Sequence, residues 1–193
     1  FTGTPCQVKA IKSFINNDNL VTISLICEGV PSRKVWKLYK DSLEKSQKSE
    51  LVKVNFRNKD NCGWKMPDSV YVFGNSKEIK KLSFNLDNYV SSFIEGLIMN
   101  EKCYDCKFKG NNNMGDIIIG DFWKVPDELF GNQTKNGVSA IIIKNKKGEE
   151  LLNSMQDIDI KKVNMDLVIN GNSYKKKILK VLFNLKIIKY LKK

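Results

Sequence analysis

The chain has 193 residues, 41% of them hydrophobic and 28% charged, enough to bury one ordinary core with a small appended piece. No run approaches the roughly 20 uninterrupted apolar residues that cross a bilayer, and the start does not read as a secretion signal, so the expected location is cytoplasmic. Histidine is absent, which excludes Ser-His-Asp and Cys-His catalysis and imidazole metal ligands and leaves Cys, carboxylates, Lys, Tyr or a bound cofactor to do any chemistry.

In chain order, Phe1 and Thr2 read as the end of a strand. Gln7 to Phe14 place Val8, Ile11 and Phe14 at helical spacing, followed by the turn Asn16-Asn17-Asp18-Asn19. Leu20 to Ile26 is a β-branched strand. Beyond Gly29 and Pro31, Ser32 caps a helix running to about Ser46. Leu51 to Phe56 and Val70 to Phe73 are strands on either side of the polar turn "RNKDNCG", and they suit an antiparallel pair. Leu86 to Met99 is a helix, "NEKCYDCKFKGNNNMG" a loop, and "DIIIGDFW" a buried strand ending at Gly120-Asp121. Val138 to Ile143 is a further strand and "KKGEELLNSM" a short helix. From Tyr174 to the end the pattern is an amphipathic, Lys-rich helix.

Strands alternating with helices predict an α/β fold: a mixed, partly parallel sheet with flanking helices, a Cys-x-x-Cys loop and a basic C-terminal helix. The expected division is a domain over 1–170 and a tail over 171–193. The formal net charge is +12, of which the eight Lys of residues 171–193 carry +8, since no Arg or acid is present there. The body is therefore nearly balanced. With no helix-turn-helix, aromatic RNA-binding box or Arg stripe, no nucleic-acid partner is expected.

Five cysteines are present, at positions 6, 27, 62, 103 and 106. An odd number without a secretion signal argues against a disulfide framework. Cys6 follows the first strand and Cys27 the second, so a right-handed β-α-β unit would bring both to the carboxyl edge of a parallel sheet, where ligand sites of such folds gather. Cys103 and Cys106 form a Cys-x-x-Cys pair that one backbone turn can present to a metal. Together these four make a Cys₄ set, suited to zinc or to an iron-sulfur cluster, while Cys62 sits apart in a turn. A buried, inert thiol is the alternative for Cys6 or Cys27 taken alone.

The segments "GTPCQ" (3–7), "CEGVPS" (27–32), "FRNKDNCGWK" (56–65), "CYDCKFKG" (103–110) and "DIIIGDFW" (116–123) resemble, in order and spacing over about 1–155, the carboxyl-terminal domain of the coenzyme F420 hydrogenase/dehydrogenase beta-subunit family. The resemblance implies an iron-sulfur flavoprotein, an oxidoreductase subunit in which a 4Fe-4S cluster exchanges electrons with FAD. A deazaflavin, a ferredoxin or another redox protein would be the partner. It implies Cys6, Cys27, Cys103 and Cys106 as cluster ligands. It also implies a start inside a longer protein, so that this piece alone is expected to be inactive, and a setting among polysaccharide-biosynthesis enzymes. Two departures move the local charge in the negative direction: Glu28 stands where a His is common, and Asn113 and Gly115 stand where a basic residue and a Ser are common. No phosphate-cradling Gly motif is present.

Thr4 at the first helix start, and Asp121 and Trp123 after the apolar strand, are candidate cofactor contacts. The alternatives are a helix cap, a turn carboxylate and a packing aromatic. Arg57 and Lys65 flank a hairpin that could meet an anion or simply face solvent. A zinc-stabilised interaction module and a nonfunctional fragment are the rival readings of the whole chain. The tail from Tyr174 to Lys193 suits either packing on its own domain or peripheral contact with an anionic membrane.

Overall fold

The computed structural model describes residues 1–60, 63–64, 66–74, 78–83 and 85–172. Its elements in chain order are β1 (Thr2–Gly3), α1 (Pro5–Phe14), β2 (Ile23–Leu25), α2 (Arg33–Gln47), β3 (Leu51–Asn58), β4 (Asp68–Phe73) and β5 (Glu78–Leu82). Then follow α3 (Asn88–Ile94), α4 (Glu101–Tyr104), β6 (Ile117–Asp121), α5 (Asp127–Phe130), β7 (Ser139–Ile143), α6 (Lys146–Ser154) and α7 (Met165–Gly171). The fold is α/β, and its described residues divide into two compact units: Phe1–Glu28 with 106–172, and Gly29–Asp105.

In the first unit the strand order is β1-β2-β6-β7. β1, β2 and β6 are parallel, with Gly3 beside Ser24 and Ser24 beside Ile118, and β7 runs antiparallel to β6 with Ile142 opposite Ile118. The sheet is thus mixed and partly parallel, as expected. Period-two alternation turns Ile118, Ala140 and Ile142 into one core with Phe122, Val125 and Val168. Each large side chain so buried contributes about 1.5–3 kcal/mol. The alternate residues Ile141 and Ile143 of the edge strand remain exposed.

Beneath the sheet, at the amino ends of β2 and β6, the buried Asp116 carboxylate accepts from the Thr22 N–H and hydroxyl (both 2.7 Å), from Asn145 Nδ2 (2.7 Å) and from Lys12 Nζ (2.9 Å). That explains why β2 begins three residues later than the apolar run "LVTISLI" suggests: the Thr22 N–H is taken by a side chain, not by a neighbouring strand. Helix α6 docks closely here, since a Cβ at Gly148 would lie 2.3 Å from the Asp116 carbonyl oxygen.

The second unit is an antiparallel meander, β3-β4-β5, with α2 and α3. The β3–β4 pairing matches expectation. Tyr39 and Leu43, one turn apart on α2, pack with Leu51, Tyr71 and Phe73. Trp36, Phe56 and Tyr89 flank them, with Tyr39 and Tyr89 stacked at 5.4 Å. Asp87 caps α3 by accepting from the N–H groups of Tyr89 (2.9 Å) and Val90 (3.1 Å). Its carboxylate also accepts from Tyr71 Oη (2.5 Å) and Tyr39 Oη (3.1 Å).

Three expectations change in extent. α3 does not continue to Met99: Gly96, at φ 76°, closes it in a Schellman motif, with the Gly96 N–H on the Phe93 carbonyl (2.9 Å) and the Leu97 N–H on that of Ser92 (2.8 Å). α1 begins two residues earlier than the apolar spacing implies, at Pro5, which is preorganised for a first helical position. The Cys-x-x-Cys segment is not wholly a loop, because α4 includes Cys103. The basic tail helix, from Tyr174 onward, lies outside the described residues, and no described helix is long and apolar enough to cross a membrane.

Candidate functional site

The β1-α1-β2 unit puts Cys6 in the first turn of α1 and Cys27 two residues past β2, each just beyond the carboxyl end of its parallel strand. β6 lies parallel beside β2 and ends in Asp121, with Trp123 two residues on, so five of the seven candidate residues (Thr4, Cys6, Cys27, Asp121 and Trp123) lie at or just beyond one sheet edge. Just past the strand, Phe122 is buried in the core, whereas Trp123 is 38% exposed.

Thr4 performs the cap function and also meets the thiol. Gln7 Oε1 accepts from the Thr4 N–H (2.9 Å) and hydroxyl (3.0 Å), and Thr4 Oγ1 lies 3.2 Å from Cys6 Sγ. A threonine hydroxyl has one proton. With that proton on Gln7, the Cys6 thiol is the donor to Thr4.

Cys27 shares a narrow crevice, too small to admit a water molecule, with Pro5, Leu25, Ile26, Lys109, Gly110 and Asn113. The ammonium of Lys109 donates to the Glu28 carbonyl (3.1 Å). Asn113 is buried and bridges two strands' ends: its amide donates to the Leu25 carbonyl (3.2 Å) while its oxygen accepts from the Gly115 N–H (3.1 Å). Its amide thus does structural work at a position where the resemblance leads one to expect a basic side chain. Gly115 has a steric reason too, since a Cβ there would lie 2.5 Å from Ser24 Cβ. The buried Ser24 hydroxyl has no hydrogen-bond partner among the described residues.

Cys106 belongs to the first unit and Cys103 to the second. Within the second unit, the Val30 carbonyl accepts from the Asn100 N–H (2.8 Å) and the Ser32 N–H donates to Ile98 (2.8 Å). A Cβ on Gly29, two residues beyond Cys27, would come 3.3 Å from Cys103 Cβ. Cys6 is exposed, whereas Cys27, Cys103 and Cys106 are half-buried. Arg57 lies near the end of β3, and Cys62 and Lys65 lie outside the described residues.

The donor chemistry, thiols without imidazole, fits a thiolate-held centre. The described side chains are not already drawn into one: among the described residues no three His, Cys, Asp or Glu form a metal-holding group. Sequence reasoning missed Lys109 and the structural duty of Asn113. Their partners lie 81 and 88 positions away, so no local pattern announces them.

Thiols beyond the carboxyl edge of parallel strands stand where open α/β sheets gather their ligand sites. Residues 1–166 match the family described as the C terminus of the Coenzyme F420 hydrogenase/dehydrogenase beta subunit, and the chain belongs to that family. No curated protein matches the chain. The family is one of oxidoreductase subunits, and the match reaches beyond the five motifs to residue 166.

Proposed function

We propose that the chain is part of an iron-sulfur, flavin-linked oxidoreductase subunit, with Cys6, Cys27, Cys103 and Cys106 as the thiols that would hold a 4Fe-4S cluster. When bound, such a cluster passes single electrons to or from FAD, with a deazaflavin or a redox protein as the outside partner. The observation that carries the reading is the placement of Cys6 and Cys27 beyond adjacent parallel strands, in a chain that belongs to this family. The chain's own contributions are to set Cys6 in the first turn of α1 and to offer Asp121 and Trp123 at the same edge for a flavin. Service to surface-polysaccharide enzymes, and peripheral membrane contact through residues 174–193, complete the proposal.

The test is metal content. Anaerobically reconstituted protein should be brown and hold about four irons per chain. Single Ser replacements at positions 6, 27, 103 and 106 should each strongly deplete iron, because an alcohol poorly replaces a thiolate, while Cys62→Ser should retain it. A colourless protein with one tightly held zinc would establish the interaction module instead. Indispensable Cys62 with a dispensable member of the four would overturn the ligand set.

A further inference from the structure

The second unit buries a carboxylate among aromatic rings, and its two oxygens are not shared alike. Oδ1 of the fully buried Asp87 accepts from the N–H groups of Tyr89 (2.9 Å) and Val90 (3.1 Å) and from Tyr39 Oη (3.1 Å). Among the described residues Oδ2 accepts from Tyr71 Oη alone (2.5 Å). A carboxylate oxygen offers two lone-pair sites, so Oδ1 is filled while Oδ2 can take up a proton. Tyr71 is itself fully buried, and burial, reinforced by Asp87, pushes its hydroxyl far above the ordinary value. Simple loss of the phenolic proton is therefore disfavoured. Loss of an electron is different. A phenol that has lost an electron is a strong acid, and its proton can pass along the existing hydrogen bond to Oδ2. The products are a neutral phenoxyl and a neutral carboxylic acid, so the buried charge disappears.

Oxidisable rings lead to this phenol from the surface of the unit. Trp36 is half-buried, with its ring centroid 5.2 Å from that of Tyr89 and 6.3 Å from that of Tyr39. Tyr89 stacks on Tyr39 at 5.4 Å, and Tyr39 lies 6.2 Å from Tyr71. Every step is a packing contact between an indole or phenol ring and the next.

We propose that Tyr71 is a one-electron oxidation site, with Asp87 Oδ2 as its proton acceptor and Trp36, Tyr89 and Tyr39 as the relay from the surface. The oxidant is a small diffusible radical of the carbonate or nitrogen dioxide class. It takes one electron from Trp36 and leaves as its anion. Trp36 is refilled from Tyr71 through Tyr89 and Tyr39, and the Tyr71 O–H bond breaks as an O–H bond forms on Asp87. A thiolate reductant later returns the electron, becoming a thiyl radical, and Asp87 returns the proton. No cysteine of the chain takes part, so the proposal stands or falls apart from the reading of the thiols.

The full 193-residue chain is exposed to a radiolysis pulse that generates azide radicals, a one-electron oxidant of indole rings. Tryptophanyl absorbance should decay as tyrosyl absorbance grows, at a rate independent of protein concentration. The tyrosyl radical should persist, and its electron-nuclear double resonance should show a hydrogen-bonded exchangeable proton that is lost after equilibration in heavy water. Tyr71→Phe should abolish the persistent signal, and Trp36→Phe the concentration-independent growth that feeds it. Tyr104→Phe, outside the cluster, should leave both unchanged. A persistent signal that survives in Tyr71→Phe overturns the proposal. A wild-type radical without the exchangeable proton does so too, and that result needs no variant to fold.

Discussion

Asp116 ties two strands and two helices of the first unit together through a single carboxylate. Burial by itself would push its carboxyl up, but the bonds from Asn145, Lys12 and Thr22 outweigh that and hold it well below the usual carboxylate range. The folded value is depressed, so the stabilisation is present above the ordinary Asp value near ~3.9 and is lost as pH falls through the folded one. Asp116→Ala, which strands Lys12 and Thr22, should cost about 3 kcal/mol at neutral pH by urea unfolding. The gap between wild type and Asp116→Asn should narrow at pH values below about 4; a gap independent of pH would deny the carboxylate its charged role. At this scale the sequence was legible where the signal is local. A cysteine straight after a strand can be read from neighbours alone, which is how Cys6 and Cys27 were found. The partners of Asp116 are 104, 94 and 29 positions away, and only the folded sheet makes them neighbours.

Elements were legible where apolar periodicity was strong. α2 and β6 fall close to their expected spans. β5 was missed because Glu-Ile-Lys-Lys-Leu holds three charges and its strand character comes from pairing with β4, from Glu78 opposite Phe73 to Leu82 opposite Ser69. α7 was missed because Asn164, whose side chain accepts from the Asp166 N–H (2.9 Å), starts a helix too brief to show a period. α3 illustrates the opposite case: the apolar pattern continues past residue 94, but the backbone at Gly96 ends the helix. The same helix depends on Asp87, and Asp87→Ala would remove a cap and strand two buried phenols. We expect a loss of about 3 kcal/mol, against roughly 1 kcal/mol for Tyr39→Phe. Burial, reinforced by Asp87, pushes the hydroxyls of Tyr39 and Tyr71 far above their ordinary value. Their contribution is therefore complete below the unfolded value near ~10 and lost as pH rises beyond it. An alkaline titration followed by phenolate absorbance should show two tyrosines ionising only with unfolding, and early ionisation of all six would refute the network.

For the whole molecule, charge is concentrated where composition alone would hide it, with eight of the lysines in residues 171–193. Each Lys near an anionic surface contributes about 1 kcal/mol, so the complete chain should cosediment with anionic vesicles at low salt and release as salt rises. A chain ending at Ser173 should stay in solution; equal recovery of the two would eliminate the membrane contact. The pairing of β2 with β6 has a different kind of consequence. Thr22 and Asp116 are 94 positions apart, and the whole of Gly29–Asp105 lies between them. On a ribosome adding ~5–20 residues per second, that interval lasts roughly 5–20 seconds. During it the second unit has all its strands, while the first has only β1 and β2. Cys6 and Cys27 are synthesised long before the sheet edge that will frame them exists, so they meet the thiol pool and free metals of the cell as unprotected nascent chain.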